Sequence, residues 1–345
     1  MIPIQNIYYM LSYAFQVLNE QGYKNIATEQ FNNTGELMAA ILEKGIAIQL
    51  KRGLGKEYIL QTEALSSLRG KIDIAESIKT QSMLRKQLIC TYDEFSVNSI
   101  MNQIIKSTVE LLLRSNISKQ RKKNLRKLMV YFSEVDFIDL YTVNWNVQYN
   151  RNNQTYRMLI SICYLVVKGL LQTQSNGHTK LMDFLDEQRM CRLYEKFILE
   201  YYRREFKNQI TANASQIPWQ LDNEENSMLP VMQSDIMLQS GEKVLIIDAK
   251  YYEHSTQVQF DKHTLHSGNL YQIFTYVKNK EYELREKDHT VSGMLLYAKT
   301  DEEIYPNNVY QMSGNQITVR TLDLNLPFDE IAGQLNTIAK THFDL

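Results

Sequence analysis

Three cysteines in 345 residues, Cys90, Cys163 and Cys191, are too few and too widely spaced for a disulfide frame. None belongs to a CxxC pair, which argues against a zinc knuckle, so they read as buried apolar thiols. Proline is equally scarce: there are five, and four of them (Pro218, Pro230, Pro306 and Pro327) follow residue 177. No apolar run approaches the roughly 18 residues of a membrane span. The opening MIPIQNIYYMLSYAF lacks the basic flank and small-residue cleavage site of a secretory signal, so a cytoplasmic protein with no membrane partner is expected. A phosphate loop is missing too. Gly55-Lys56 and Gly70-Lys71 are followed by Glu57 and Ile72, which excludes a GxxxxGK[ST] nucleotidase.

Net charge is close to zero, with 38 Lys+Arg against 39 Asp+Glu, but the balance is uneven along the chain. Residues 1–150 carry 18 cations and 14 acids, so the acidic excess lies in the remainder. The local extreme is RSNISKQRKKNLRK, residues 114–127, with seven cations and no acid. It fits either a phosphate-facing patch that includes Arg121, Lys122 and Lys123, or a solvated helix end whose cations suit the helix dipole.

A chain of 345 residues is long for one core, so two domains are expected. Ile4, Ile7, Leu11, Ala14, Phe15 and Leu18 are spaced as one face of an opening helix. A helix over 35–45, strands near 46–51, 57–63 and 69–75, helical segments over 96–128 and an apolar helix over 155–172 describe an α+β module. The polar QSNGHTK stretch ends it, which divides the chain into 1–177 and 178–345. The proline-containing second part is expected to carry more loops and strands.

That second part holds LPVMQSDIMLQSGEKVLIIDAKYY, residues 229–252. Val244–Ile247 read as a strand buried on both faces, yet the strand runs into Asp248 and Lys250. Side chains alternate along a strand, so these two share a face with Ile246. A hairpin about Ser240-Gly241 sets Asp235 opposite Ile246, with Asp248 its diagonal neighbour at roughly 7–8 Å. Two carboxylates on a buried sheet repel unless a cation lies between them, and a hard divalent ion suits oxygen ligands. A structural Asp–Lys pair at a strand end is the alternative. Glu195 flanks the buried stripe of a helix over 187–206, either to reach that site or to pair with Arg192 or Lys196. Gln272 and Tyr276 lie one turn apart on the LHSGNLYQIFTYVKN helix, placed either for DNA and water or for packing. His254, His263 and His266 follow no zinc spacing; His266 is near enough to that helix to meet phosphate.

A helix with Glu, a strand with Asp, a hairpin, a strand ending D-x-K and a helix with YQ resemble the PD-(D/E)xK nuclease superfamily. Within it the chain is similar over essentially its whole length to the McrC family, the cleavage subunits of GTP-dependent McrBC systems. The similarity runs through IPIQNIYYMLSYAF, RGKIDIAESI, NQIIKST, LYEKF, LPVMQSDI, LIIDAKYY and HSGNLYQIFTY. It departs from the superfamily name where Pro230 precedes Asp235 by five residues.

The resemblance implies an α+β docking domain followed by an α/β nuclease domain with a central mixed sheet flanked by helices. It implies an Mg²⁺-dependent endonuclease with Asp235, Asp248 and the Ala249 carbonyl on the metal. Lys250 would act on the attacking water, Glu195 would be the helix acid, and Gln272 would assist. The implied partners are a hexameric McrB-type AAA+ GTPase and double-stranded DNA containing modified cytosine. Lys51, Arg52, Lys56, Tyr271 and Tyr276 are further candidates for DNA or partner contact. A stand-alone repair nuclease and a non-catalytic activator of an NTPase are the competing functions.

Overall fold

The computed structural model of the chain describes residues 2–19, 23, 26, 29, 31–150, 153, 155–174, 187–222, 228–252, 257–259, 262–299 and 306–345. Two compact units emerge, one of residues 32–182 and one that joins 1–31 to 183–345. The opening helix α1 (Ile4–Ala14) therefore belongs with the C-terminal unit, although it was expected among residues 1–177. Its side chains account for this. Asn6 Nδ2 donates to the carbonyls of Leu324 and Leu326 at 2.7 and 2.8 Å. The Tyr13 ring lies 5.7 Å from Phe197 and 5.3 Å from Tyr201, between centroids. The boundary expected near Gly177 lies outside the described residues.

In the unit of residues 32–182, α2 spans Thr34–Arg52, with Asn33 accepting the Glu36 amide as its N-cap. This helix runs through 46–51, where a strand was expected. Leu37, Ile41, Leu42, Ile46 and Gln49 keep the helical period and are buried, so packing decides against the strand. Gly53, at φ +90°, ends the helix in a conformation that L side chains rarely adopt.

The strands β1 (Glu57–Leu65) and β2 (Lys71–Asp73) and the short helix α3 (Ile74–Lys79) follow. The strand β3 (Leu88–Ser96) inserts between β1 and β2. Helices α4 (Ile100–Arg114), α5 (Lys119–Met129) and α6 (Tyr156–Gln174) complete the unit. A buried polar hub ties it together. Tyr156 Oη donates to Asn102 Oδ1 at 2.8 Å and accepts from the Gly55 amide at 2.7 Å, while Asn102 Nδ2 returns a bond to the Gly55 carbonyl at 2.9 Å.

The other unit continues with α7 (Glu187–Glu205), β4 (Thr211–Asn213), β5 (Gln216–Ile217) and β6 (Met232–Gln233). Then come β7 (Ile236–Ser240), β8 (Lys243–Lys250), β9 (Gln257–Gln259), β10 (Lys262–Thr264) and α8 (Ser267–Glu283). The strands β11 (Thr290–Ala298), β12 (Asn308–Met312) and β13 (Asn315–Leu322) lead to α9 (Phe328–Phe343).

The six-stranded sheet has the order β12-β13-β11-β8-β7-β4, and it is mixed. β11 runs parallel to β8 and β13, whereas β7 is antiparallel to β8 and β4. Ile246, Leu295, Ile317 and Val319 form one core with Ile273 and Val277 of α8. Parity along β8 sends Leu245 and Ile247 to the opposite face. Near-continuous burial of β8 is what a central strand covered on both sides requires. Among the described residues no helix is long and apolar enough to cross a membrane.

Candidate active site

The charged end of β8 is set by the hairpin before it. Ser240 pairs with Lys243, leaving Gly241 and Glu242 as a two-residue turn with Gly241 at φ +57°, a value suited to the first position of a II′ turn. Ile236 consequently pairs with Ile247. Asp235, on the bend just before β7, thus lies level with Asp248 rather than diagonal to it. The register differs from the expected one by two residues, and an even shift leaves side chains on the same face. Asp235 Oδ2 accepts the Ala249 amide at 3.0 Å, taking the place of a ladder partner.

Asp248 is 2% exposed and its Lys250 partner 13%. Lys250 Nζ lies 2.9 Å from both Asp248 oxygens, but its hydrogen bond is directed to Oδ1. Asp248 Oδ2 is left buried without a hydrogen-bond partner among the described residues. Lys250 also donates to Gln272 Oε1 at 3.4 Å, and Gln272 Nε2 donates to Tyr276 Oη at 2.9 Å. Strand β8 and helix α8 therefore converge on one polar cluster.

Burial raises Asp248 to about 7, because loss of solvent outweighs the lysine's attraction and Asp235 adds repulsion. For Lys250, burial acts downward, but the charges of Asp248 and Asp235 outweigh it and hold the ammonium above its ordinary value. At neutral pH Lys250 is a donor, not a base. Glu195 on α7 is raised by burial and then by the Asp235 charge, which brings a third carboxyl into the field of the pair. The Cys191 thiol, one helical turn back, donates to Glu195 Oε1 at 3.0 Å. Cys191 is therefore half-buried and polar in its contacts, unlike the apolar thiol expected; burial and then Glu195 push it up to about 12.

Among the described residues, no three His, Cys, Asp or Glu side chains form a cluster able to hold a metal by themselves. The donor set at this corner is smaller: the two carboxylates of Asp235 and Asp248. It suits Mg²⁺, which keeps several waters and takes one or two carboxylates from a protein.

Residues 5–298 match the family described as the McrBC 5-methylcytosine restriction system component. The chain belongs to this family. It is 30% identical over 329 residues to the type IV methyl-directed restriction enzyme EcoKMcrBC of Escherichia coli (strain K12), covering 94% of this chain and 93% of that protein. Two solved assemblies are also similar to this McrBC-family chain. One is a half-complex from a tetradecameric assembly of Thermococcus gammatolerans McrB AAA+ hexamers with bound McrC, at TM-score 0.47, 18% identity and coverage of 97% and 76% of the two chains. The other is the Thermococcus gammatolerans McrBC complex, at TM-score 0.41, 22% identity and 59% of each chain.

The remaining candidates in this McrBC-family chain divide by exposure. Tyr271 is exposed on α8, whereas Tyr276 is buried and anchors Gln272, so it offers no surface to DNA. Asn269, which the sequence did not single out, donates to Tyr297 Oη at 3.0 Å and accepts from Tyr252 Oη at 3.3 Å. Its place one turn before Gln272 was the available signal. His266 takes the N-cap position of α8, and His254 lies outside the described residues. Lys51 and Arg52 are exposed in the last turn of α2, and Lys56 lies 5.8 Å from the Phe95 ring centroid.

Arg121 requires a correction. It is only 13% exposed and pairs with Glu36 at 3.4 Å and Glu43 at 2.8 Å, so it joins α5 to α2 instead of facing phosphate. Arg121→Ala should destabilise the protein by about 3 kcal/mol, since it leaves two largely buried carboxylates without a counter-cation. A thermal melt checks this against Lys123→Ala, which should cost less than about 0.5 kcal/mol as a surface change.

Proposed function

We propose that this chain is the Mg²⁺-dependent DNA endonuclease subunit of a GTP-dependent restriction system for modified cytosine, built on a PD-(D/E)xK core. The observation that carries the reading is the convergence of Asp235, Asp248 and Lys250 at one end of β8. Family membership supports the restriction role.

In this reading Asp235, Asp248 and the Ala249 carbonyl hold the ion. Bound Mg²⁺ supplies Lewis-acid polarisation of the scissile phosphate and stabilises charge on the leaving oxygen. Lys250 donates to the attacking water and holds it in line with the phosphorus. Gln272, itself held by Tyr276, limits the directions in which that ammonium points. Glu195 adds a carboxyl beside Asp235.

GTP hydrolysis and recognition of the modified base belong to a hexameric McrB-type AAA+ partner, consistent with a chain that has no phosphate loop. The unit of residues 32–182 is the docking module. Its β1–β3 sheet supports this, because one face presents Tyr58 at 75%, Leu60 at 68% and Phe95 at 55% exposure. Tyr58 and Phe95 are cross-strand partners with ring centroids 5.0 Å apart. Exposed aromatic and aliphatic side chains of this kind mark protein interfaces.

The test is reconstitution of the chain with its AAA+ partner, GTP, Mg²⁺ and a methylated duplex. The wild type should cut, and a chelator should stop it. Lys250→Gln should lose cleavage by about two orders of magnitude or more, as for a positioned group acting on the nucleophile, while raising partner GTP turnover as before. Cleavage that survives both chelation and Lys250→Gln refutes the nuclease assignment. Full stimulation of GTP turnover with no cleavage of any DNA by the wild type would point to an activator instead.

A further inference from the structure

Helix α5 carries a feature that folding does not explain. Lys119, Lys122, Lys123, Arg126 and Lys127 are separated by three, one, three and one residues, which at 100° per residue confines all five to an arc of 140°. Buried Leu125 and the paired Arg121 lie outside that arc, with Asn124, which bonds to Glu43. None of the five cations has an ion-pair partner among the described residues, and the helix contains no acid. Lys119, Lys123, Arg126 and Lys127 are exposed and Lys122 partly so.

The arrangement works against the helix. Lys119–Lys123, Lys122–Arg126 and Lys123–Lys127 are like-charge pairs at i,i+4, each unfavourable in an isolated helix. Lys119 and Lys122 also sit in the first turn after the Ser118 cap, at the positive end of the dipole. Only Arg126 and Lys127, in the last turn, suit the dipole. Such a stripe is stabilised when a polyanion lies along it.

We infer that this stripe is a sequence-independent track for the phosphate backbone of double-stranded DNA, on the unit that does not contain the nuclease residues. The inference rests on the reading of this chain as a DNA-cutting subunit and adds a second DNA contact to it. Chemistry favours DNA over a protein partner. Protein interfaces are depleted in lysine and are built around aromatic and aliphatic anchors. The β1–β3 face has that composition, whereas the five positions of the stripe contain none of it. Lysine- and arginine-rich surfaces without anchors contact phosphate, release counterions and carry no base information.

The experiment measures binding of the full chain to an unmethylated mixed-sequence duplex by fluorescence anisotropy in EDTA over a salt series, so that no cleavage is needed. The combined variant K119Q/K122Q/K123Q/R126Q/K127Q keeps Arg121 and its acids, and glutamine is a good helix former. Its affinity should fall at least about tenfold at moderate salt, and the log–log salt slope should become shallower by about 3–5. The double variant K123Q/K127Q, a smaller change to the fold, should make it shallower by about 2. The melting temperature of the free variants should stay level or rise, since like-charge repulsion is removed.

Unchanged affinity and slope in both variants would overturn the inference. So would retained DNA affinity together with lost stimulation of partner GTP turnover in DNA-free buffer, which would make the stripe a protein surface. Absence of Mg²⁺-dependent cleavage with an intact stripe effect would instead count against the nuclease reading alone.

Discussion

Asp248→Asn should leave a folded protein whose cleavage activity falls about a thousandfold or more, the equivalent of roughly 4 kcal/mol of transition-state stabilisation. The amide matches the carboxylate in shape but cannot neutralise a hard cation, so the change removes an anion from the buried wall of the site and leaves Lys250 without its ion-pair partner. The same substitution has a second signature in metal-free buffer. Asp248 ionises near 7 in the folded chain and near 3.8 when unfolded. Between those values the folded state binds more protons, so the wild type loses stability as pH rises from about 4 to about 7. Asparagine does not titrate, and in the wild type Lys250 is held above its ordinary value, outside this window. The stability of Asp248→Asn minus that of the wild type should therefore increase by on the order of 2 kcal/mol between pH 5 and pH 7.5. Chemical denaturation at the two pH values with a chelator present measures this, whatever the sign of the difference at either one. A flat difference would mean that the Lys250 ammonium keeps Asp248 ionised despite its burial.

Leu60→Asp should separate docking from chemistry. Leu60 is largely exposed on β1 but pairs across the sheet with Asp93, so a second carboxylate there should cost about 1 kcal/mol of stability, too little to unfold the chain. If the Tyr58–Leu60–Phe95 face seats the AAA+ partner, a carboxylate at its centre should weaken binding by about 2–3 kcal/mol, or roughly 30- to 150-fold. Titrating the variant into the partner and following GTP turnover would show the half-stimulating concentration rising by that factor. Mg²⁺ binding by the free chain should be untouched. Stimulation at wild-type concentrations would remove this face from the interface. A fragment carrying this face alone should span 32–182, because α1, held by Phe197, Tyr201 and the carbonyls that bind Asn6, belongs to the other unit.

Much of the site is legible in the sequence. Four apolar residues leading into Asp248 and Lys250 identified a central strand with a charged end, and Gly241 marked the turn that returns Asp235 to it. The expected register missed by two residues, yet the grouping of the acids survived, because only an odd slip would move them to different faces. The strand expected at 46–51 failed for the opposite reason: a short apolar run has no period of its own, and α2 extended through it once Leu37, Ile41 and Leu42 were packed. Arg121 and its neighbours are one basic run in the sequence. Only the approach of Glu36 and Glu43 from a helix about eighty residues earlier distinguishes the paired cation from the unpaired stripe.

The sequence by itself determined which side chains share a face, since strand and helix periods are properties of the local chain. It thereby placed Asp235, Asp248 and Lys250 together, Gln272 one turn from Tyr276, and the apolar faces inward. The tertiary structure decided what those faces meet: Lys250 on Gln272, Arg121 between Glu36 and Glu43, α1 against the C-terminal unit, and the depth at which Asp248 is buried. These outcomes depend on desolvation and on contacts between residues distant in the chain, and neither is encoded in a local period.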